Sequence, residues 1–145
     1  MLKGIDPILT PELLMHLCAM GHNEWVAVVD ANFTADFLAK GKPLIRLPGL
    51  NLERVSQAIL SVFPLADDVP FPAAYMHVSG AATDHRTPAQ QDMAALARSY
   101  GAKDQQIEAV ERFAFYERIK GVSLIVQTGE LTAYGNALFC KGVIL

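Results

Sequence analysis

Apolar positions along the chain follow two patterns that alternate. Largely continuous apolar runs at Trp25-Val26-Ala27-Val28-Val29, Ala73-Ala74-Tyr75-Met76-His77-Val78 and Val122-Ser123-Leu124-Ile125-Val126 read as buried strands. Runs without polar alternation belong to strands covered on both faces, as in a mainly parallel sheet. Leu44-Ile45-Arg46-Leu47 predicts a fourth, shorter strand. Between the runs, apolar residues recur at helical spacing. Leu13, Leu14, Leu17 and Cys18 form one stripe, Leu52, Val55, Ile59 and Val62 a second, and Met93, Leu96, Ala97 and Tyr100 a third.

Capping residues set the boundaries. Thr10-Pro11-Glu12 opens the first helix with an N-cap, a first-turn proline and an acid at the positive end of the dipole. Gly21 is expected to stop it in a left-handed position. Asn51 caps the second helix, which Pro64 ends, and Thr87-Pro88-Ala89-Gln90 is a capping box for the third, closed by Gly101. Phe113 to Lys120 reads as a short helix ending at Gly121. Outside the strand at 44–47, residues 31–49 read as irregular, and 104–111 fit either a helix end or an edge strand. Strands alternating with helices define an α/β fold. The expectation is one compact three-layer domain over residues 1–145, with a central, mostly parallel sheet flanked by helices.

Composition narrows the setting. The chain of 145 residues is 52% apolar and only 19% charged. A small domain has too much surface to hide that many apolar groups alone, so a homo-oligomer is expected. A net charge of −3 and a pI near 5.7, with scattered basic residues, argue against nucleic acid or an anionic membrane as partner. No apolar run approaches the roughly 18–20 residues of a membrane span. The N-terminus lacks the apolar core of a signal peptide. Cys18 and Cys140 sit among apolar neighbours and read as buried, reduced thiols, so the expected location is cytoplasmic.

The candidate chemistry is sparse. The phosphate-cradling signatures, the H-E-x-x-H pair and the G-x-S-x-G elbow do not occur, and the four histidines show no metal-ligand spacing. The loop trio Asp84-His85-Arg86 reads as solvated. Polar and aromatic groups bracket two of the strands: His22 and Asp30 on either side of 25–29, then Arg112, Tyr116 and Glu117 before 122–126 and Thr128, Glu130, Tyr134 and Asn136 after it. A strand flanked in this way is a rigid scaffold for a site on its loops. One histidine, a carboxylate, an arginine, tyrosines and an amide suit proton transfer on a neutral polyhydroxylated molecule. A strand of this length separates its ends by about 15–20 Å, so His22 and Asp30 share a site only if loops fold back or a second subunit contributes one of them.

Four motifs in order resemble the fucose mutarotase and ribose pyranase family. They are M-L-K-G-I-D-P-I-L-T-P-E-L-L, then A-M-G-H with D-A-N-F soon after, then R-F-A-F-Y-E-R, and finally T-G-E-L-T-A-Y-G-N with a closing K-G-V. They run from Met1 to Val143, and R-F-A-F-Y-E and Y-G-N look closer to the fucose branch. The resemblance implies interconversion of anomers or ring forms of a free monosaccharide, without metal or cofactor. It implies ring-shaped homo-oligomers, commonly decamers, with sites at subunit contacts. It also implies His22 as the general acid/base, with Asp30, Arg112, Tyr134, Gly135 and Asn136 around the sugar. Tyr116 is a further expected pocket residue, beyond those the resemblance implies. One departure stands out: Thr34-Ala35-Asp36-Phe37 replaces the P-A-H-S usual after D-A-N-F in the fucose branch. It leaves the identity of the sugar open, and with it the alternative of a non-catalytic sugar-binding or regulatory subunit of the same fold.

Overall fold

Val26 and Val28 face one way from strand β1 (Trp25–Val29), Ala27 and Val29 the other, and all four are fully buried. Such burial requires cover on both faces, and helices supply it. The computed structural model describes residues 2–145. Its sheet comprises β1, β2 (Leu44–Leu47), β3 (Ala73–Met76), β4 (Ile107–Val110), β5 (Leu124–Thr128) and β6 (Ala137–Cys140), in the spatial order β2-β5-β1-β6-β3-β4. β6 runs antiparallel to both its neighbours, and the other three pairings are parallel.

Helices α1 (Pro11–Ala19), α3 (Leu52–Leu60) and α4 (Pro88–Ser99) cover one face, through Leu13, Leu17, Leu52, Val55, Ile59, Met93 and Ala97. Helices α2 (Ala35–Ala39) and α5 (Arg112–Ile119) cover the other, through Ala35, Leu38, Phe115 and Ile119. The three-layer, mostly parallel α/β architecture expected from the hydrophobic pattern is therefore present. The caps fall where the sequence puts them. Thr10 Oγ1 accepts from the Leu13 amide at 3.2 Å, Asn51 Oδ1 from Arg54 at 2.9 Å, and the Thr87–Gln90 box closes in both directions.

Several local expectations are corrected. β6 reads too weakly in sequence because its four residues follow a turn and precede no helix, yet it occupies the middle of the sheet. α2 is a single short helix whose side chains are partly exposed, too brief for a 3.6-residue period to register. Residues 104–111 resolve into one 3₁₀ turn, Asp104–Gln106, and the edge strand β4. The 122–126 run starts as a strand only at Leu124 and continues to Thr128. Gly21 does not take a left-handed position; α1 gives way to an extended Met20, and Asn23 adopts φ 64° instead. Cys18 is exposed, whereas Cys140 is buried and its thiol is pushed up to about 11 by desolvation. Tyr100 lies outside the inner face of α4, and the fully buried Gln90 takes a place on it.

Candidate functional site

The two ends of β1 differ in chemistry. At its C-terminal end the chain turns at Asp30. Because β6 runs antiparallel beside β1, the residue that enters β6, Asn136, arrives next to Asp30. The pair interlocks: the Asp30 amide donates to Asn136 Oδ1 at 2.9 Å, and Asn136 Nδ2 donates to Asp30 Oδ2 at 2.8 Å. Asp30 Oδ1 also accepts from the Asn32 amide at 3.0 Å, so its turn-forming role and its site role coexist. Asp30 is 7% exposed and Asn136 2%. Burial raises the Asp30 carboxyl above the ordinary aspartate range, against the hydrogen bonds from Asn136 and Asn32.

The adjoining turn is shaped for close approach. Tyr134 stands at φ 63°, and its carbonyl accepts from the Asn136 amide at 2.8 Å and from Gln90 Nε2 at 2.9 Å. A Cβ on Gly135 would lie 2.7 Å from Glu130 Cγ and 2.9 Å from the Thr132 carbonyl oxygen, which explains the glycine. Gln127 Nε2 lies 3.2–3.4 Å from the carbonyls of Asp30, Ala31 and Phe33 and steadies the 30–33 loop.

Arg112 opens α5, and one turn later Tyr116 faces the same side. Arg112 Nε donates to Tyr116 Oη at 3.0 Å, and the guanidinium carbon lies 5.7 Å from the Tyr116 ring centre. The hydrogen bond to Tyr116 holds the Arg112 guanidinium above its ordinary value. A hydrogen bond from Ser79, with Arg112 nearby, holds the Tyr134 phenol below its own. Tyr116 packs edge-on against Phe33, 5.6 Å between ring centres.

Asp30, Arg112, Tyr116, Tyr134 and Asn136 line one open cleft of about 230 Å³, together with Phe33, Met76 and Leu131. The structure thus joins five of the residues singled out in the sequence, with Gly135 immediately behind them. Phe33 sits in the D-A-N-F motif, but nothing in its spacing marks it as a wall. Gln127 gave no signal, and Gln90 signalled only as a helix cap, because their support of the site is hydrogen bonding to backbone far away in sequence.

His22 lies at the other end of β1 and takes no part in this cleft. It belongs to the turn between α1 and β1, and its Nε2 meets the Asp68 carboxylate at 3.0 Å to Oδ1 and 2.9 Å to Oδ2. Its partner is thus a carboxylate from a distant loop, where a helix-terminus histidine would ordinarily bond backbone carbonyls. An open cavity of about 360 Å³ lies nearby, lined by Trp25, Val69, Phe71 and the Arg118–Glu108 ion pair among others. Among the described residues no group of three or more His, Cys, Asp or Glu is placed to hold a metal, and no helix is long and apolar enough to cross a membrane.

An α/β domain whose central strands end beside one carboxylate, one amide, one guanidinium and two phenols, with aromatic and aliphatic walls, suits a small, neutral, hydroxyl-rich molecule. The chain belongs to the RbsD / FucU transport protein family, whose profile matches residues 3–144. It is 40% identical to the fucose mutarotase of Danio rerio, covering 99% of this chain and 94% of that protein. It is 41% identical to the L-fucose mutarotase of Glaesserella parasuis, covering 99% and 96%. The fucose mutarotase of Streptococcus pneumoniae, solved in complex with L-fucose, superposes with a TM-score of 0.89 at 32% identity, over 99% of this chain and 100% of that one. Bacillus subtilis RbsD, solved with D-ribose, shares the fold at a TM-score of 0.74 and 19% identity.

Proposed function

We propose that this chain is a monosaccharide mutarotase that interconverts the anomers of L-fucose or a closely similar sugar. The observation that carries the reading is the convergence of Asp30, Arg112, Tyr116, Tyr134 and Asn136, from three separate segments, on one cleft. Full-length likeness to fucose mutarotases, one of them solved with L-fucose, supports the sugar assignment.

The chemistry follows from the groups available. Mutarotation breaks the bond between the anomeric carbon and the ring oxygen, which takes up a proton while the anomeric hydroxyl loses one. The aldehyde formed rotates, and the hydroxyl attacks its other face to reclose the ring. His22 is the proton-transfer group, since an imidazole donates and accepts near neutral pH. With Nε2 directed at the Asp68 carboxylate, Nδ1 is the nitrogen left to exchange protons with the sugar. Arg112 holds an oxygen that gains negative charge, and Asp30, Tyr134 and Asn136 grip hydroxyls. No step requires a metal or a cofactor.

His22 and the cleft meet across a contact between two copies of the chain. Phe37 on α2, Phe113 on α5 and Leu131 on the cleft rim are each more than two-thirds exposed, an apolar border suited to burial against a neighbour. The assembly is a closed ring, a decamer by resemblance to the family, working in the cytoplasm on free sugar; residues 1–145 act in it as one domain. None of Thr34–Phe37 lines the cleft of one chain, and Asp36 is paired to Arg46 at 3.0 Å.

Exchange NMR on L-fucose, D-ribose and related sugars at anomeric equilibrium tests the proposal. Accelerated exchange for an L-fucose-like sugar, lost in His22→Ala, is expected. Calorimetric binding with no acceleration would instead identify a non-catalytic sugar-binding subunit.

A further inference from the structure

The closing Lys141-Gly142-Val143 motif has no part in the cleft, yet it is bonded to the two segments that carry His22 and Asp68. Lys141 directly follows β6. Its amide donates to the Glu24 carbonyl at 2.9 Å, and its own carbonyl accepts from the Asn23 amide at 2.9 Å. Its side chain reaches back to the end of α1, where Nζ donates to the Leu17 carbonyl at 2.6 Å and to the Met20 carbonyl. Those last carbonyls have no partner within the helix, and a cation there also meets the negative end of the dipole. One residue therefore brackets the 20–24 turn from both sides, with His22 at its centre and Asn23 in a left-handed conformation.

The same short stretch fixes the other partner. The Ala66 amide donates to the Cys140 carbonyl at 3.0 Å, the Gly142 amide to the Pro64 carbonyl at 2.8 Å, and Leu65 forms a bridge to Lys141. These bonds set the segment that carries Asp68 to His22. A Cβ on Gly142 would stand 2.5 Å from the Leu65 carbonyl oxygen, so only glycine lets the segment lie this close. Glu24 completes the brace: its carboxylate accepts from the Gly21 amide and from the Ser123 hydroxyl.

We propose that Lys141 is a positioning residue for His22, which fixes where the imidazole stands against the sugar without touching the sugar itself. The inference rests on His22 being the proton-transfer group. If it holds, removing the ammonium lowers the rate of the bound sugar and leaves its affinity alone, because the binding cleft lies at the far end of β1.

The test uses the intact protein with L-fucose, measuring anomer exchange at saturating sugar per calorimetric binding site, and the sugar Kd. For Lys141→Met, which keeps the length of the stem, the rate is expected to fall about tenfold or more, since a misplacement near 1 Å is enough for that. Its Kd is expected within about threefold of wild type, the mark of an interaction felt at the reacting atoms and not in binding. Lys141→Arg, which keeps a cation and its donors, restores most of the rate. Lys141→Gln, with one amide donor, replaces the methionine variant if that variant does not fold. A full rate per site in Lys141→Met or Lys141→Gln overturns the inference, as does a parallel loss of rate and affinity, or a folded Lys141→Arg no better than methionine. His22→Ala, run alongside, separates the two readings. If it keeps the wild-type rate, the histidine assignment fails and takes this inference with it. If it loses the rate while Lys141→Met does not, Lys141 alone is wrong.

Discussion

The two ends of β1 carry opposite kinds of polar group. At the C-terminal end, Asp30 and Asn136 are buried, interlocked by two hydrogen bonds, and backed by Gln127 and Gly135. At the N-terminal end, His22 and Asp68 keep side-chain exposures of 37% and 52%. Recognition of a hydroxyl pattern needs donors and acceptors that do not move, and burial with full hydrogen bonding supplies that rigidity. Proton transfer needs a group that water and sugar can reach, and the half-exposed imidazole is reachable. An exposed acid/base is a weak catalyst until something excludes water from it, and in the proposed assembly a second copy of the chain does so. Within one chain the two ends lie the length of one strand apart; in the proposed assembly a contact between copies joins them.

Breaking the reactive end has the largest expected effect. His22→Ala should slow anomer exchange by about 10²–10⁴-fold, the usual contribution of general acid/base catalysis, with sugar affinity nearly unchanged. Exchange NMR and calorimetry on one sample check both halves. Breaking the binding end should show the reverse emphasis. In Gly135→Ala, the added methyl meets Glu130 and the Thr132 carbonyl, so unfolding free energy should drop by about 1–3 kcal/mol and L-fucose affinity should fall with it. Denaturant titration and calorimetry report the two losses.

A pH profile sharpens the contrast further. Asp30 keeps its proton to higher pH in the folded protein than in the unfolded chain, because burial disfavours the carboxylate. Over the window from its ordinary value of 3.8 up through its raised folded pKa, the native state binds more protons, so stability falls as pH rises. The contribution is fully present below the ordinary value. Asp30→Asn should flatten this component of the stability–pH curve, measured by denaturant unfolding at a series of pH values; a curve as steep as wild type would contradict the burial argument. The smallest effect is expected at Thr10→Ala. It removes the α1 N-cap at the helix end remote from His22, lowering stability by about 1 kcal/mol with no change in exchange rate.

The sequence made the layers legible because covered strands and amphipathic helices leave strong periodic signals. Trp25–Val29 and the caps at Thr10, Asn51 and Thr87 appear where those signals put them. β6 was not legible: four apolar residues after a glycine turn carry no period, and only pairing with β1 and β3 makes them a strand. The cleft residues were legible by type and by motif, but their meeting was not. Asp30 and Asn136 are 106 positions apart in sequence, and the antiparallel entry of β6 brings them together. Asp68 left no trace at all, since its pairing with His22 depends on the 64–68 segment crossing the end of β6.

The central claim is that the reactive histidine and the binding cleft of one working site come from different copies of the chain. Mixing two defective variants, His22→Ala and Arg112→Ala, by co-expression or by joint refolding tests it directly, with anomer exchange of L-fucose as the readout. Each variant alone lacks one half of every site. In mixed oligomers a site built from two chains becomes whole wherever an intact His22 meets an intact Arg112, so recovery to about a quarter of the wild-type rate is predicted. A mixture that stays as slow as its separate components would place both groups within one chain and contradict the account.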